Sequence, residues 1–198
     1  KKINLFGVSA KYIDHLKNEE FDSRELDLSS IKIITSTGSP LAEESFKYVY
    51  KNLKKDVHLT SIAGGTDMVG CLVLGNLYSS VYKGEIQGQS LGIDIDVFTE
   101  DGKSAKDGEK GELVVKQPFP SMPVKFWGDD SGEKYHNAYF TRFKNIWHHG
   151  DFIERTSNNG FIMRGRSDAT LNPGGVRIGT SEIYQQVEDI DFITEGLV

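Results

Sequence analysis

Residues 165–184 read Gly-Arg-Ser-Asp-Ala-Thr-Leu-Asn-Pro-Gly-Gly-Val-Arg-Ile-Gly-Thr-Ser-Glu-Ile-Tyr, a stretch with little helical or strand periodicity. Glycine lets backbone approach a bulky ligand or take up positive φ. Arg166 and Arg177 each carry a planar fork that matches phosphate oxygens. With Asp168 between them, the segment reads as a loop that closes over something phosphorylated and then moves. A solvated connector would explain any one of these residues taken singly.

Three more polar-and-glycine clusters end or interrupt expected strands: Gly38-Ser39-Pro40, Gly64-Gly65-Thr66-Asp67 and His148-His149-Gly150-Asp151. In the second, glycine backbone admits a phosphate, Thr66 offers a hydroxyl, and Asp67 offers a carboxylate suited to a phosphate-bound Mg²⁺. A plain glycine turn capped by Asp67 accounts for the same residues. Asp151, just before Phe152 and Ile153, can accept both hydroxyls of a ribose or can bond its own turn. His148 and His149 invite a metal, but consecutive strand residues face opposite ways and are ill placed to share one ion. Cys71, in the apolar run Cys71-Leu72-Val73-Leu74, reads as a buried, inert thiol.

The elements that position these clusters fall into two styles. Ser9 caps an expected helix through Asn18 with Ile13 and Leu16 inward, followed by a buried strand at Ile31–Thr35. Ser39 as cap and Pro40 at the first helical position open a helix with Phe46, Val49, Tyr50 and Leu53 at helical spacing. Glu43 and Glu44 at its start and Lys51, Lys54 and Lys55 at its end complement the helix dipole. A strand over Val57–Ala63 then runs into Gly64-Gly65. This is the grammar of an open parallel α/β sheet, which binds ligands at the carboxyl ends of its strands.

After about residue 80 come short strand candidates at Glu85–Gln89, Ile93–Thr99, Glu112–Lys116 and Phe152–Thr156, separated by turns that include Asn158-Asn159-Gly160. Trp127 and Trp147 are expected to pack inside this part. The chain thus reads as part of a doubly wound α/β subdomain over 1–80, a small antiparallel, barrel-like β subdomain over 81–167, and from 168 to 198 a hinge and the start of a C-terminal α+β domain. A helix is expected over Ser181–Asp189 with Ile183 and Val187 inward.

A net charge of −6 argues against a general nucleic-acid or membrane-surface binder. A single cysteine excludes an internal disulfide and a cysteine-rich zinc site, and a reduced, cytoplasmic setting is the simple inference. No apolar run approaches the roughly 18 residues of a membrane span. Starting at Lys1 without an initiator methionine and stopping at Val198 just after a helix begins, the chain reads as a piece of something longer.

With these clusters in this order, the chain resembles the adenylate-forming superfamily of acyl-CoA synthetases, luciferases and peptide-synthetase adenylation domains. Gly38-Ser39-Pro40 is similar to the adenine-side turn, and Ala63–Asp67 to the aromatic/Gly-x-Thr-Glu motif, with Asp67 in place of the usual Glu. Gly111-Glu112-Leu113-Val114-Val115 is similar to the Gly-Glu-Leu strand, His149-Gly150-Asp151 to the Thr-Gly-Asp motif, and Gly165-Arg166-Ser167-Asp168 to the hinge motif. Finer wording, such as Gly-Gly-Thr-Asp and Trp147-x-His149-Gly150-Asp151, resembles the acetoacetyl-CoA synthetase branch. That branch activates acetoacetate with ATP and Mg²⁺, releases pyrophosphate, and transfers the acyl group to coenzyme A.

The resemblance implies that Thr66 contacts the α-phosphate, Asp67 the metal side, Asp151 the ribose hydroxyls and Arg166 the ribose–phosphate end. It makes Asp168 the hinge, and it implies that Gly175 and Arg177 face the pantetheine tunnel and the nucleotide after rotation. Gly65 belongs to the same phosphate-side turn. Acetate-activating relatives carry a bulky aromatic two residues before the motif threonine; Gly64 stands there, and the expectation is that it leaves room for a four-carbon keto acid. A phosphate loop with its lysine and a C-terminal catalytic lysine, both part of the family pattern, do not occur in these 198 residues. The chain alone is therefore expected to turn over negligibly. The alternatives are a non-catalytic nucleotide-binding module and a related synthetase for another short acid.

Overall fold

The computed structural model describes residues 2–168 together with residues 183, 186, 187, 190 and 193. Three parallel strands, β1 (Leu5–Ser9), β2 (Ile33–Thr37) and β3 (His58–Ser61), form one sheet in that order. The helix α1 (Ala10–Asn18) starts where Ser9 Oγ accepts the Tyr12 amide at 3.1 Å, as the sequence leads one to expect. The helix α2 (Glu43–Tyr48) runs on as a π-helical turn over Val49–Leu53. Ile13, Ile34, Phe46, Val49 and Leu59 form the core between helices and sheet. The expected alternation of strand and helix in a parallel sheet is present, preceded by β1, which periodicity did not reveal.

Two starts differ from expectation. The strand expected from Ile31 begins at Ile33, because the Ile31 amide is taken by the Leu28 carbonyl at 3.1 Å and the parallel ladder holds Ile33–Thr37. The helix expected from Pro40 begins at Glu43 with Ala42 as an N-cap that makes no side-chain bond. Gly38 stands at φ +88°, and the chain uses the next residues to seat Leu41 in the core before it can coil. Ser39 therefore caps nothing.

The expected strand Val57–Ala63 divides between two sheets. After β3, the chain turns into β4 (Ala63–Gly65), which pairs antiparallel with β5 (Gly70–Leu74), itself paired with β6 (Gly88–Gln89). A second antiparallel sheet runs β10-β9-β8-β7, with β7 at Ile95–Phe98, β8 at Lys110–Val115, β9 at Trp147–Arg155 and β10 at Phe161–Arg166. The β9–β10 hairpin turns at Asn159, φ +59°, as its Asn-Asn-Gly sequence predicts. Met68, Leu72, Val97, Leu113, Trp147 and Ile153 are buried together as a core between these antiparallel sheets. The short helix α3 (Glu133–Tyr139), not anticipated from periodicity, starts where the buried Asp129 carboxylate accepts the amides of Lys134 (3.2 Å) and Tyr135 (2.9 Å). These amides hold Asp129 below the usual carboxylate range.

Ile183 and Val187 are helical and half-buried while Gln186 is exposed, in keeping with the inward face expected of that segment. No helix among the described residues is long and apolar enough to cross a membrane. Cys71 is half-buried, and burial pushes its thiol up, which disfavours the nucleophilic form.

The two tryptophans part company. Trp147 is 2% exposed and packs at the centre of the antiparallel core, whereas Trp127 is fully exposed and packs nothing. Trp147→Ala is expected to destabilise the chain by about 3–5 kcal/mol in urea denaturation, and Trp127→Ala by less than about 0.5 kcal/mol. Equal losses at both positions would contradict the packing described.

Candidate functional site

The His149-Gly150-Asp151 segment occupies a bulge. Along β8 and β9 the register runs Glu112↔Phe152 and then Val114↔His148, so β9 spends three residues, His149 to Asp151, where β8 spends Leu113 alone. Gly150 takes φ +83° to permit this, a conformation an L side chain resists. On the other edge of β9, β10 carries an extra residue between Met163 and Gly165, and Arg166 comes to lie directly opposite Asp151. Directly opposed strand residues share a face, so the two bulges together set a guanidinium over a carboxylate.

His149, Gly150 and Arg166 border a groove of about 830 Å³. Gly65, Thr66 and Asp67 form one side; Tyr139 and Arg142 from and after α3, His148 to Gly150 from β9, and Arg166 with Asp168 form the rest. Arg166 is engaged twice over. Its Nε and Nη2 donate to Asp168 Oδ1 and Oδ2 at 2.9 and 2.6 Å, and its Nη1 lies 3.6 Å from Asp151 Oδ1. Asp67 accepts a hydrogen bond from the Tyr139 hydroxyl, and the Tyr139 ring stacks on Trp147 at 3.6 Å and 13°. His148 and His149 diverge: His148 Nε2 is 2.9 Å from the buried Glu112 carboxylate, while His149 Nδ1 accepts the Trp147 indole N–H at 3.2 Å.

Burial dominates the electrostatics. It pushes the Asp151 carboxyl up to about 6, against the pull of Arg166. It pushes the His149 imidazole below its usual value, with the Gly64 backbone carbonyl acting the other way. It also raises the Tyr139 hydroxyl, as does the bond to Asp67. At Asp168 the Arg166 fork holds the carboxyl below the usual carboxylate range.

The groove therefore gathers Gly65, Thr66, Asp67, Arg166 and Asp168. Asp151 stands just behind its surface, reached through Arg166 and His149, and neither Asp67 nor Asp151 spends its carboxylate on capping its own turn. Ser39 and Pro40 border a different cavity of about 440 Å³, near Leu41 and Ile86, and Gly38 borders neither. Gly175 and Arg177 lie outside the described residues. The expectation for Gly64 needs correcting. A Cβ built there would sit 2.0 Å from the Gly70 carbonyl oxygen and 2.5 Å from Cys71 Cα, so this glycine admits the backbone of β5 rather than opening space for an acyl chain.

Tyr139, Trp147 and His149 escaped the sequence reading as a connected group. Tyr135 and Tyr139 are four residues apart behind the cap-forming Asp129, a helical aromatic spacing that was the available signal.

No family model matches the chain. Among curated proteins it is 56% identical, over all of its length, to an acetoacetyl-coenzyme A synthetase of Rhizobium meliloti and 44% identical, over 98% of its length, to an acetoacetyl-CoA synthetase of Mus musculus. The chain spans 30% and 29% of the length of those relatives. Its fold matches that of an acetoacetyl-CoA synthetase from Streptomyces lividans with a TM-score of 0.88 at 39% identity, covering all of this chain and 31% of that one. An anthranilate CoA ligase in complex with anthranoyl-AMP shares the fold with a TM-score of 0.78 at 16% identity, over 98% of this chain and 35% of that one.

The Asp151 carboxyl moves from 3.8 in an unperturbed chain to about 6 in the fold. The folded state thus holds this proton more tightly than the unfolded state. Its contribution to stability is full below pH 4 or so and is lost as pH rises through about 6, a cost on the order of 3 kcal/mol. Asp151→Asn keeps the shape without the charge. It is expected to raise the urea midpoint at pH 8 and to leave it nearly unchanged at about pH 4; an equal effect at both would show that Asp151 titrates normally.

Proposed function

This chain belongs, with the acetoacetyl-CoA synthetases it matches along its whole length, to the acyl-CoA synthetases, and from that premise we propose that it supplies the ribose- and phosphate-binding wall of an ATP-dependent acid–CoA ligase. The reaction proposed is adenylation of acetoacetate, in which a carboxylate oxygen attacks the α-phosphorus of ATP and pyrophosphate leaves. The thiolate of coenzyme A then attacks the acyl carbonyl and AMP leaves. A cytoplasmic setting and a place in lipid and fatty-acid metabolism are part of the same proposal.

The observation that carries this reading is the convergence of Thr66, Asp67, Arg166 and Asp168 on one groove, with the buried Asp151 directly behind it. In the proposed roles, Thr66 donates its hydroxyl to an α-phosphate oxygen. Arg166 turns its fork from Asp168 to the nucleotide phosphate, which uncovers Asp151 for the two ribose hydroxyls. Loss of the Arg166 fork frees Asp168 to act as the pivot of the hinge. A guanidinium and a hydroxyl already gathered at the groove can meet the phosphate charge as it develops. The adenine-side role of Gly38-Ser39-Pro40 and the roles of Gly175 and Arg177 rest on the motif resemblance alone.

A magnesium ion carried by nucleotide phosphates takes one or two carboxylates from the protein and fills its shell with phosphate oxygens and water. Asp67 beside the Thr66 hydroxyl fits that requirement; the described residues hold no group of three or more metal-ligating side chains that would form a closed cage. When bound, the ion neutralises charge on the phosphates. Tyr139, held against Trp147, keeps Asp67 turned toward the groove.

A chimera tests the reading. With this chain in place of the matching segment of the Rhizobium meliloti protein, acetoacetate-dependent pyrophosphate release is expected to persist. Thr66→Ala or Asp151→Ala in that chimera is expected to lower it by about 100-fold. A folded chimera that releases no pyrophosphate, or that prefers another acid, would overturn the assignment of activity or of substrate, respectively.

A further inference from the structure

Asp151 must offer both carboxylate oxygens at a fixed angle if it is to take two vicinal hydroxyls, yet the charge partner on it, Arg166, is half exposed and shared with Asp168. The firmer neighbour is His149. Its side chain is 4% exposed, its Nε2 is 3.5 Å from Asp151 Oδ2, and that enclosed nitrogen makes no well-formed hydrogen bond, with the Gly64 carbonyl beside the ring as a competing acceptor. An indole N–H only donates, so the 3.2 Å contact from Trp147 makes His149 Nδ1 an acceptor and places the ring proton on Nε2, the nitrogen beside Asp151. A buried donor left unmade is costly, and the Asp151 carboxylate stands at the edge of hydrogen-bond reach of this one.

The ring is held between two neighbours. It lies nearly coplanar with Trp147, edge to edge at an interplanar angle of 22°, and on another side it meets Gly65, where a Cβ would lie 2.9 Å from His149 Cε1. The imidazole is thus a spacer between the turn that carries Thr66 and the strand that carries Asp151. Trp147 stacks on Tyr139, which holds Asp67, so one indole registers both carboxylates, by a stack on one side and a hydrogen bond on the other.

We propose that His149 is a positioning residue for Asp151: its Nε2–H, the tautomer that Trp147 enforces, donates to the Asp151 carboxylate and aims it at the two hydroxyls of a nucleotide ribose. This rests on the ribose-binding reading of Asp151 given above.

The test is binding of AMP and of 2′,3′-dideoxy-AMP to the chain and its variants, followed by NMR titration. The unsubstituted chain is expected to prefer AMP by about tenfold, and Asp151→Ala to abolish the preference. His149→Phe, which keeps the ring but not the donor, is expected to abolish it too, while His149→Gln, with an amide N–H at similar reach, restores most of it. If Asp151→Ala abolishes the preference and His149→Phe keeps it, the His149 proposal is overturned and the ribose reading stands. If the unsubstituted chain shows no preference, the ribose reading falls and this proposal with it. A readout without substitution is the ¹⁵N tautomer of His149 at pH 7: a proton on Nε2 alone is expected, and a proton on Nδ1 overturns the proposal.

Discussion

The groove depends on the register of β9 with its two neighbours. Because side chains alternate faces along a strand, a one-residue change of pairing would turn Arg166 away from Asp151. The extra residue of β10 between Met163 and Gly165 makes these two oppose each other, and the three-for-one bulge of β9 against β8 lifts His149, Gly150 and Asp151 out of the regular ladder. Both irregularities sit where the polar residues gather, as bulges near binding sites do. The same strand is regular toward its other end, where Ile153, Glu154 and Arg155 pair with Met163, Ile162 and Phe161, and the bulged Arg164 grips Glu154 at 2.8 and 3.0 Å.

What steadies the bulges is apolar. Trp147 at the start of β9 is enclosed by Phe119, Tyr135, Tyr139 and Phe140, with edge contacts near 6 Å or closer and one face-to-face stack. Aromatic pairs of this kind contribute about 0.5–1.5 kcal/mol each beyond the area they bury. Against that stands the buried Asp151 charge, which favours the protonated form in the absence of a ligand. A site that holds a carboxylate at a cost, supported by a rigid aromatic wall, is organised for donors that arrive with a ligand. Arg166 pulls both carboxyls down, against burial at Asp151 and outright at Asp168, so its departure would release Asp168 toward ordinary behaviour and leave Asp151 to the donors of a ligand.

Local chemistry was legible in the sequence; pairing was not. Glycines next to Thr66–Asp67 and around Asp151 announced places where backbone is open and a carboxylate has work to do, and the parallel β-α-β order followed from periodicity and caps such as Ser9. The bulges were invisible because they exist only relative to a partner strand. The helix α3 escaped because its start is signalled by Asp129, several residues ahead of the first helical turn. Trp127 and Trp147 are the same residue type in similar company, and only the tertiary packing separates them. Gly64 shows the hazard of reading a missing side chain as empty space: the backbone of Gly70 and Cys71 already fills it.

The central claim is that a ribose reaches Asp151 when a nucleotide enters the groove. The direct measurement is the ¹³C carboxyl titration of Asp151 with and without saturating AMP. Hydroxyl donors favour the ionised carboxylate, so AMP is expected to pull the midpoint down from about 6 toward the ordinary aspartate range. An unchanged Asp151 midpoint in the presence of bound AMP would contradict the account.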